Sequence, residues 1–417
     1  MLKAINKYAK PFNTTDDLDP LIDAIGDAKY VLLGESSHGT SEFYSLRAEL
    51  SKRLIKEKGF SFIAVEGDWP SCQSINQYIK AFNHSTNDVR RVLESFNRWP
   101  TWMWANQEMI GLIKWLKDYN QQTNLSQTVG FYGLDVYSLW ESMDEIIRYL
   151  EKTNSRSLQA AKKAFSCFEP FNRNHESYAV SAGYLSEDCT REALELLASI
   201  RKNKWKFADN QESSLNMEVN ALVTANAEEY YRTMVKSDSK SWNVRDHHMV
   251  EALNSVMNFY GDHAKAIIWE HNTHVGDARA TDMKEEGMVN VGQIIREQNG
   301  MENVFIVGFG TYTGTVVASS EWGKDVQIMQ VPPAQFGSWE SLMHKTSPTN
   351  KYLLFTDQNR DEFSTTIGHR AIGVVYRPEY EHFGNYVPSK MGQRYDSFIF
   401  FDQTKALQPL ILEHVLT

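Results

Sequence analysis

Apolar residues along the chain fall into two periods. Short runs without polar alternation stand at KYVLLG (29–34), FSFIAVE (60–66), TVGFYGLD (128–135), AKAIIWE (264–270) and NVFIVGFG (303–310). A later group comprises DVQIMQV (325–331), KYLLF (351–355), RAIGVVY (370–376) and SFIFF (397–401). Runs of this length read as strands buried on both faces, the habit of a parallel sheet. Between the early runs the period becomes helical. TSEFYSLRAELSKRLIKEKG opens on Thr40 as an N-cap, repeats apolar positions at Phe43, Leu46, Leu50 and Ile55, and stops at Gly59. Residues 102–120 repeat in the same way. Strand–helix–strand alternation predicts an α/β fold, a three-layer α/β/α core around a mainly parallel sheet.

From 138 to 260 no strand pattern is found, and WESMDEIIRYLEK, SLQAAKKAFSCF, EDCTREALELLASIRK, SSLNMEVNALVTANAEEYYRTMV and NVRDHHMVEALNSVMNFYG all read as helices. The expected organisation is an α/β core in two parts, 1–137 and 261–417, with 138–260 as an all-helical insertion forming a second lobe beside a cleft.

Composition narrows the function. The chain has 417 residues, 42% hydrophobic and 23% charged, which excludes a disordered or fibrous protein. A formal net charge of −10 argues against non-specific binding to nucleic acid or anionic membranes. The three cysteines (Cys72, Cys167 and Cys189) form no CxxC pair and offer no disulfide framework. With no apolar run long enough for a signal peptide or a spanning helix, they point to a cytoplasmic protein in a reducing compartment. Aromatics are dense, with 11 Trp, and they cluster in WPTWMWANQEMIGLIKW, a segment suited to the core or to a pocket wall.

The chemistry lies at the carboxyl end of each early strand: Glu35-Ser-Ser-His38-Gly-Thr; Glu66-Gly-Asp; Asp135 with Tyr137; Glu270-His271-Asn-Thr-His274; and Thr311-Tyr312-Thr-Gly-Thr. In an open parallel sheet these tails converge on one crevice. His38, between Gly34 and Gly39, suits a general base, and Glu35 or Glu66 (on an adjacent strand) suits the carboxylate that orients it. His271 and His274 share a face if their loop starts a helix. No GxSxG elbow is present, and Ser36 and Ser37 lack its spacing, so attack by an activated water is the simpler route. Oxyanion stabilisation falls to His271, His274, Arg47 or backbone N–H groups. Arg47, two turns into its helix, is placed to bridge a rim carboxylate. The alternatives are a metal-dependent hydrolase, with Glu35, His38, Glu66, Asp135, His271 and His274 as an O/N ligand set, and a non-catalytic small-molecule binder. Tyr312 is read in a rim turn, and Arg245–Asp246 as a structural ion pair. His247 and His248 diverge on their helix. His84, His175, His263, His344, His369, His382 and His414 are read as surface or structural.

GESSHGTSEFYSLRAEL, Glu66-Gly67-Asp68, PTWMWANQE, GLDVYS, RDHHM, HNTHVGDAR and GFGTYTGTV occur in an order that resembles the erythromycin esterase family, over roughly residues 15 to 405. The resemblance implies a metal-free, cofactor-free hydrolase that opens a macrolide lactone with activated water, a chemistry of antibiotic resistance. Some members carry a label for succinoglycan (exopolysaccharide) biosynthesis. By position, His38 matches the family's base, Glu35 and Glu66 its essential carboxylates, His271 its second essential histidine, Arg47 the cleft arginine and His274 a neighbouring histidine. Substrate contacts are expected from Arg47, His274, Asp135, Tyr137, Trp102 and Tyr312. The expected partner is a small ester or lactone, not nucleic acid or membrane.

Overall fold

The computed structural model describes residues 1–82, 88–124, 127–155, 157–202 and 211–410; His84 and His414 lie outside the described residues. Its strands are β1 (Lys10–Pro11), β2 (Tyr30–Leu33), β3 (Phe62–Asp68), β4 (Gly130–Asp135), β5 (Ala266–Trp269) and β6 (Val304–Ser319). They continue as β7 (Val326–Val331), β8 (Lys351–Leu354), β9 (Thr366–Arg370), β10 (Tyr386–Lys390) and β11 (Ser397–Thr404). The main sheet runs β1-β8-β11-β6-β2-β5-β3-β4, with β7 paired to β6. From β11 to β4 every neighbour is parallel.

Alternation along each strand divides the side chains between two apolar layers. Val31, Leu33, Ile63, Val65 and Ile267 face Leu50 and Leu54 of the helix Ser41–Lys58 and Leu112 and Leu116 of the helix Gln107–Gln121. Leu32, Ala64, Leu134 and Ile268 face Met249, Leu253 and Val256 of the helix Asp238–Tyr260 and Ile294 and Ile295 of Val291–Asn299. The fold is α/β with helices on both faces of a mainly parallel sheet. The helix Ser41–Lys58 starts after Thr40 and ends at Gly59, whose φ of 70° is the left-handed stop that glycine favours.

The described stretch between β4 and β5 carries helices and no strand. Leu139, Ile146, Leu150, Phe168, Tyr178 and Leu197 form a third apolar cluster. The helix Gln211–Met234 serves two clusters: Leu215, Val219 and Val223 pack with the sheet, while Met217, Ala221, Leu222 and Ala225 pack with the helical cluster.

Four expectations need correction. The strand expected over 370–376 is displaced to Thr366–Arg370, paired with β10 apart from the main sheet, and Ile372 and Val375 make only isolated bridges. β7 is an antiparallel edge strand with exposed positions rather than one buried on both faces. The expected rim turn at 310–315 continues as strand, because β6 runs on to Ser319 with β11 on one side and β7 on the other. Cys167 and Cys189 form a disulfide and Cys72 is a buried free thiol, which removes the cysteine argument for a reducing compartment. Among the described residues no helix is long and apolar enough to cross a membrane.

The disulfide spans 22 residues of sequence, from the turn after the helix Leu158–Phe165 to the residue before the helix Thr190–Lys202. A cross-link closing a loop of this size contributes about 3 kcal/mol by restricting the unfolded chain. Reduction, or Cys167→Ser, is expected to lower the thermal midpoint, read by calorimetry with and without reductant. An unchanged midpoint would show that the link contributes nothing to stability.

Candidate active site

β5 lies between β2 and β3, so the carboxyl ends of three neighbouring strands deliver Glu35 and His38, His271 and His274, and Glu66 to one place. β3 is thus one strand removed from β2, not adjacent to it as the sequence suggested. β4 adds Asp135 at its end. A cavity of about 430 Å³ opens there, lined by His38, Glu66, Asp135, Tyr137, Arg245, His271 and His274. Its apolar wall includes Phe96, Met103, Trp104, Trp242, Trp322 and Val374. Trp322 stands against Trp99, ring centroids 4.5 Å apart. The two glycines around His38 are required by close approach, not by an unusual φ. A Cβ on Gly34 would lie 2.1 Å from Asn272 Oδ1, and one on Gly39 would lie 1.9 Å from the Val317 carbonyl oxygen.

His38 Nδ1–H donates to Glu35 Oε1 at 2.9 Å, which leaves the lone pair on Nε2, 4.0 Å from Glu66 Oε1. Glu35, therefore, is the carboxylate that orients the ring. Its second oxygen accepts from Arg47 Nη2. Arg47 is fully buried and lies under the rings of Tyr44 and Trp269 at 4.5 and 4.7 Å. Burial works against a charged His38, but the carboxylates of Glu66 and Glu35 outweigh it and hold its pKa above the ordinary imidazole value.

Arg245, on the helix Asp238–Tyr260, is the hub of the other half. Its Nε and Nη2 donate to the two oxygens of Asp135 at 2.9 and 2.7 Å, and Nη2 also donates to Glu66 Oε1 at 2.7 Å. Its Nη1 donates to His274 Nε2 at 3.0 Å. A guanidinium has no lone pair, so His274 must accept there and carry its proton on Nδ1, donated to Asp246 at 3.0 Å. Trp242 stacks flat on the His274 ring, 4.5 Å away. Glu66 Oε2 accepts the backbone N–H of His271 at 2.8 Å. Burial opposes ionisation of Glu66, yet the His274 and His38 rings, Arg245 and this N–H hold its pKa well below the carboxylate range.

His271 caps the short helix Asn272–Val275; its Nδ1 accepts from the Thr273 N–H at 3.3 Å and lies 2.8 Å from Thr273 Oγ1, whose hydroxyl can donate to it. The ring proton therefore sits on Nε2, a buried atom with no hydrogen-bond partner. Burial, then the nearness of His38, pushes its pKa well below the usual value. The two rings lie 4.9 Å apart. Burial, then the nearby Glu66 charge, pushes the pKa of Glu270, fully buried with both oxygens unpartnered, well above the carboxylate range.

The structure brings His38, Glu66, Asp135, Tyr137, His271 and His274 to the cavity wall, with Glu35 directly behind His38. Three expected substrate contacts lie elsewhere. Arg47 is sealed behind Glu35, Trp102 is core at 2% exposure, and Tyr312 lies on β6 stacked on His344 at 3.7 Å. The cleft arginines are Arg245 and Arg98, the latter gripping Asp68 with two hydrogen bonds of 2.7 and 2.6 Å. The ion pair expected between Arg245 and Asp246 does not form, since neighbours on a helix diverge by roughly 100°. The same geometry leaves His247 exposed and His248 buried, as expected. Applied to Arg245 and Asp246, it would have sent each to a separate partner. The metal-ligand set is broken up by these same bonds. A guanidinium stands among the carboxylates, and among the described residues no three His, Cys, Asp or Glu side chains are grouped to hold an ion.

A parallel-sheet α/β protein with a histidine–carboxylate cleft at the carboxyl edge is the class that fold and site define. A profile of the erythromycin esterase family matches residues 55–404, and the chain belongs to that family. It is 23% identical over 385 residues to an erythromycin esterase type II of Escherichia coli, covering 85% of this chain and 87% of that one. The crystal structure of a succinoglycan biosynthesis protein superposes with a TM-score of 0.79 at 22% identity, covering 98% and 97% of the two chains. A mutant of the erythromycin esterase EreC in its open conformation superposes at 0.65 and 14% identity, covering 96% of each. The last two likenesses speak for the fold. Family membership supports hydrolase chemistry.

Imidazole titration by NMR tests the electrostatics of this site. The His38 pKa is expected above 6.5, and Glu66→Gln is expected to move it down, since the Glu66 charge favours the imidazolium. A titration unmoved by that substitution would show that Glu66 does not act on His38.

Proposed function

We propose that the protein hydrolyses a carboxylic ester or lactone of a bulky, largely apolar molecule by direct attack of water. The observation that carries this reading is a pair of imidazoles at one cavity whose surroundings drive them apart, His38 toward the charged form and His271 toward the neutral one. Opposed shifts in a single site separate a proton-shuttling group from a neutral hydrogen-bond donor.

In this mechanism His38 Nε2 takes a proton from the attacking water as its oxygen bonds to the acyl carbon. Glu35, accepting from Nδ1–H, stabilises the imidazolium. Glu66, 4.0 Å from Nε2, can accept the water's other hydrogen. The oxyanion needs a donor. His274 Nε2 accepts from Arg245, and Arg47 is sealed off, so His271 Nε2–H is the ring donor left uncommitted. Collapse of the tetrahedral intermediate breaks the bond to the alkoxide, which recovers the proton from His38. Arg245 keeps Glu66 and Asp135 ionised throughout. The apolar wall suits a bulky acyl or macrolactone body, and the erythromycin esterase relatives make macrolides the first substrates to try. The helical stretch 138–260 supplies one side of the cleft through Trp242 and Arg245.

Purified protein is incubated with a panel of macrolactones and simple esters, with and without EDTA, and the products are weighed for addition of water. Hydrolysis unaffected by EDTA is expected; loss on chelation would favour a metal. His38→Ala is expected to lose a factor of about 10² or more, and full retention would refute the assignment of the base. The acidic limb of kcat/KM should have its midpoint above 6.5, activity falling as the pH drops through it, because the raised pKa keeps His38 protonated there. Arg47→Lys should impair turnover despite keeping the charge, because the flat guanidinium fills the space between two rings. Unchanged kinetics would leave Arg47 without a role in the reaction.

A further inference from the structure

Behind the cleft, and outside its lining, lies a fully satisfied amide. Asn272 sits between His271 and Thr273 and is fully buried. Its Nδ2 donates to the Phe309 carbonyl at 2.6 Å and to His369 Nε2 at 3.1 Å, and its Oδ1 accepts the Phe309 N–H at 3.2 Å. The amide thereby pairs with β6 just past the end of β2, and the missing Cβ of Gly34 is the space it passes through. Both Nδ2 hydrogens are committed, so His369 must accept at Nε2 and carry its proton on Nδ1, donated to Glu340 Oε1 at 2.5 Å. His369 and Glu340 are 1% and 0% exposed. Neither touches the cavity, and the catalytic scheme uses neither.

We propose that the Glu340–His369 pair is a positioning device for His271, acting through Asn272. It fixes the turn in which the His271 ring is held beside His38. The inference rests on the donor role given to His271 above. The physical basis is that losing the His369 acceptor leaves a buried N–H of Asn272 without a partner. The turn then relaxes, and a displacement of about 1 Å at a reacting group costs about 10²-fold in rate.

The test is a double-mutant cycle on para-nitrophenyl butyrate hydrolysis, with enough enzyme to read rates reduced by about 10³. His369→Ala is expected to lower kcat roughly tenfold or more with KM little changed. His369→Gln, whose Oε1 again offers Asn272 an acceptor, should recover most of that loss. In a His271→Ala background, His369→Ala should cost less than about twofold, because the group being positioned is gone. Equal losses in both backgrounds would overturn the inference and make His369 a support of the fold alone. A His271→Ala variant as active as the parent would instead refute the donor role, and the inference would fall with it. Should His369→Ala not fold, Glu340→Gln keeps the shape of the pair and carries the same cycle. There a loss of about threefold that vanishes with His271→Ala supports the proposal, and a loss that persists, or no loss in either background, overturns it.

Discussion

The guanidinium of Arg245 is the constraint on which the site depends. It joins Asp135 at the end of β4, Glu66 on β3 and His274 in the turn after β5, three segments that contribute acceptors and cannot bind one another. Buried carboxylates at this spacing repel, and at an effective dielectric of about 20 the interaction at 4 Å is about 4 kcal/mol. Against burial, which raises both pKa values, Arg245 holds that of Asp135 down, and the His274 and His38 rings together with Arg245 hold that of Glu66 down. Glu270, fully buried in the same region but with no hydrogen-bond partner, shows the alternative: its pKa is pushed well above the carboxylate range. The charge preserved on Glu66 then lifts the pKa of His38. Arg245 thus acts on His38 in two opposed ways, lowering its pKa directly and supporting the Glu66 charge that raises it.

Polarity in the site is consequently arranged in two half-circuits. Arg47, Glu35 and His38 form one, with the cation sealed beneath two aromatic rings. Arg245, Glu66, Asp135, His274 and Asp246 form the other. They meet only across the gap between His38 Nε2 and Glu66, where a small polar molecule would touch both. His271 borders that gap: its backbone N–H is bonded to Glu66, while its ring is paired with neither circuit.

Much of this was legible in the sequence wherever a single strand or turn determined it. The five early strands, the helix bounds at Thr40 and Gly59 and the convergence of Glu35, His38, Glu66, Asp135, His271 and His274 follow from local pattern plus the rule that parallel strands present their carboxyl ends together. What failed depended on partners remote in sequence. Arg47 bridges a rim carboxylate as its helix position suggests, but the carboxylate is Glu35 and the side chain is sealed behind it, so the cleft role that the resemblance implied is not where the chain puts it. Tyr312 was read in a turn because glycines and threonines flank it, yet pairing on both sides extends β6 through it. The disulfide was missed because cysteine spacing carries no information when two helices bring the thiols together. The importance of Arg245 and of Asn272 appears only once the order β2-β5-β3 is known.

The helix Gln211–Met234, sharing its two sides between the sheet and the helical cluster, limits how a guest can be admitted. Swinging the helical half outward as one piece would strip Leu215, Val219 and Val223 of their apolar neighbours and wet them. That hinge is spliced shut by greasy contacts on either flank. Trp322, on the cavity wall against Trp99, takes no part in those contacts, so its side chain is free of the constraint that ties the helix to both clusters.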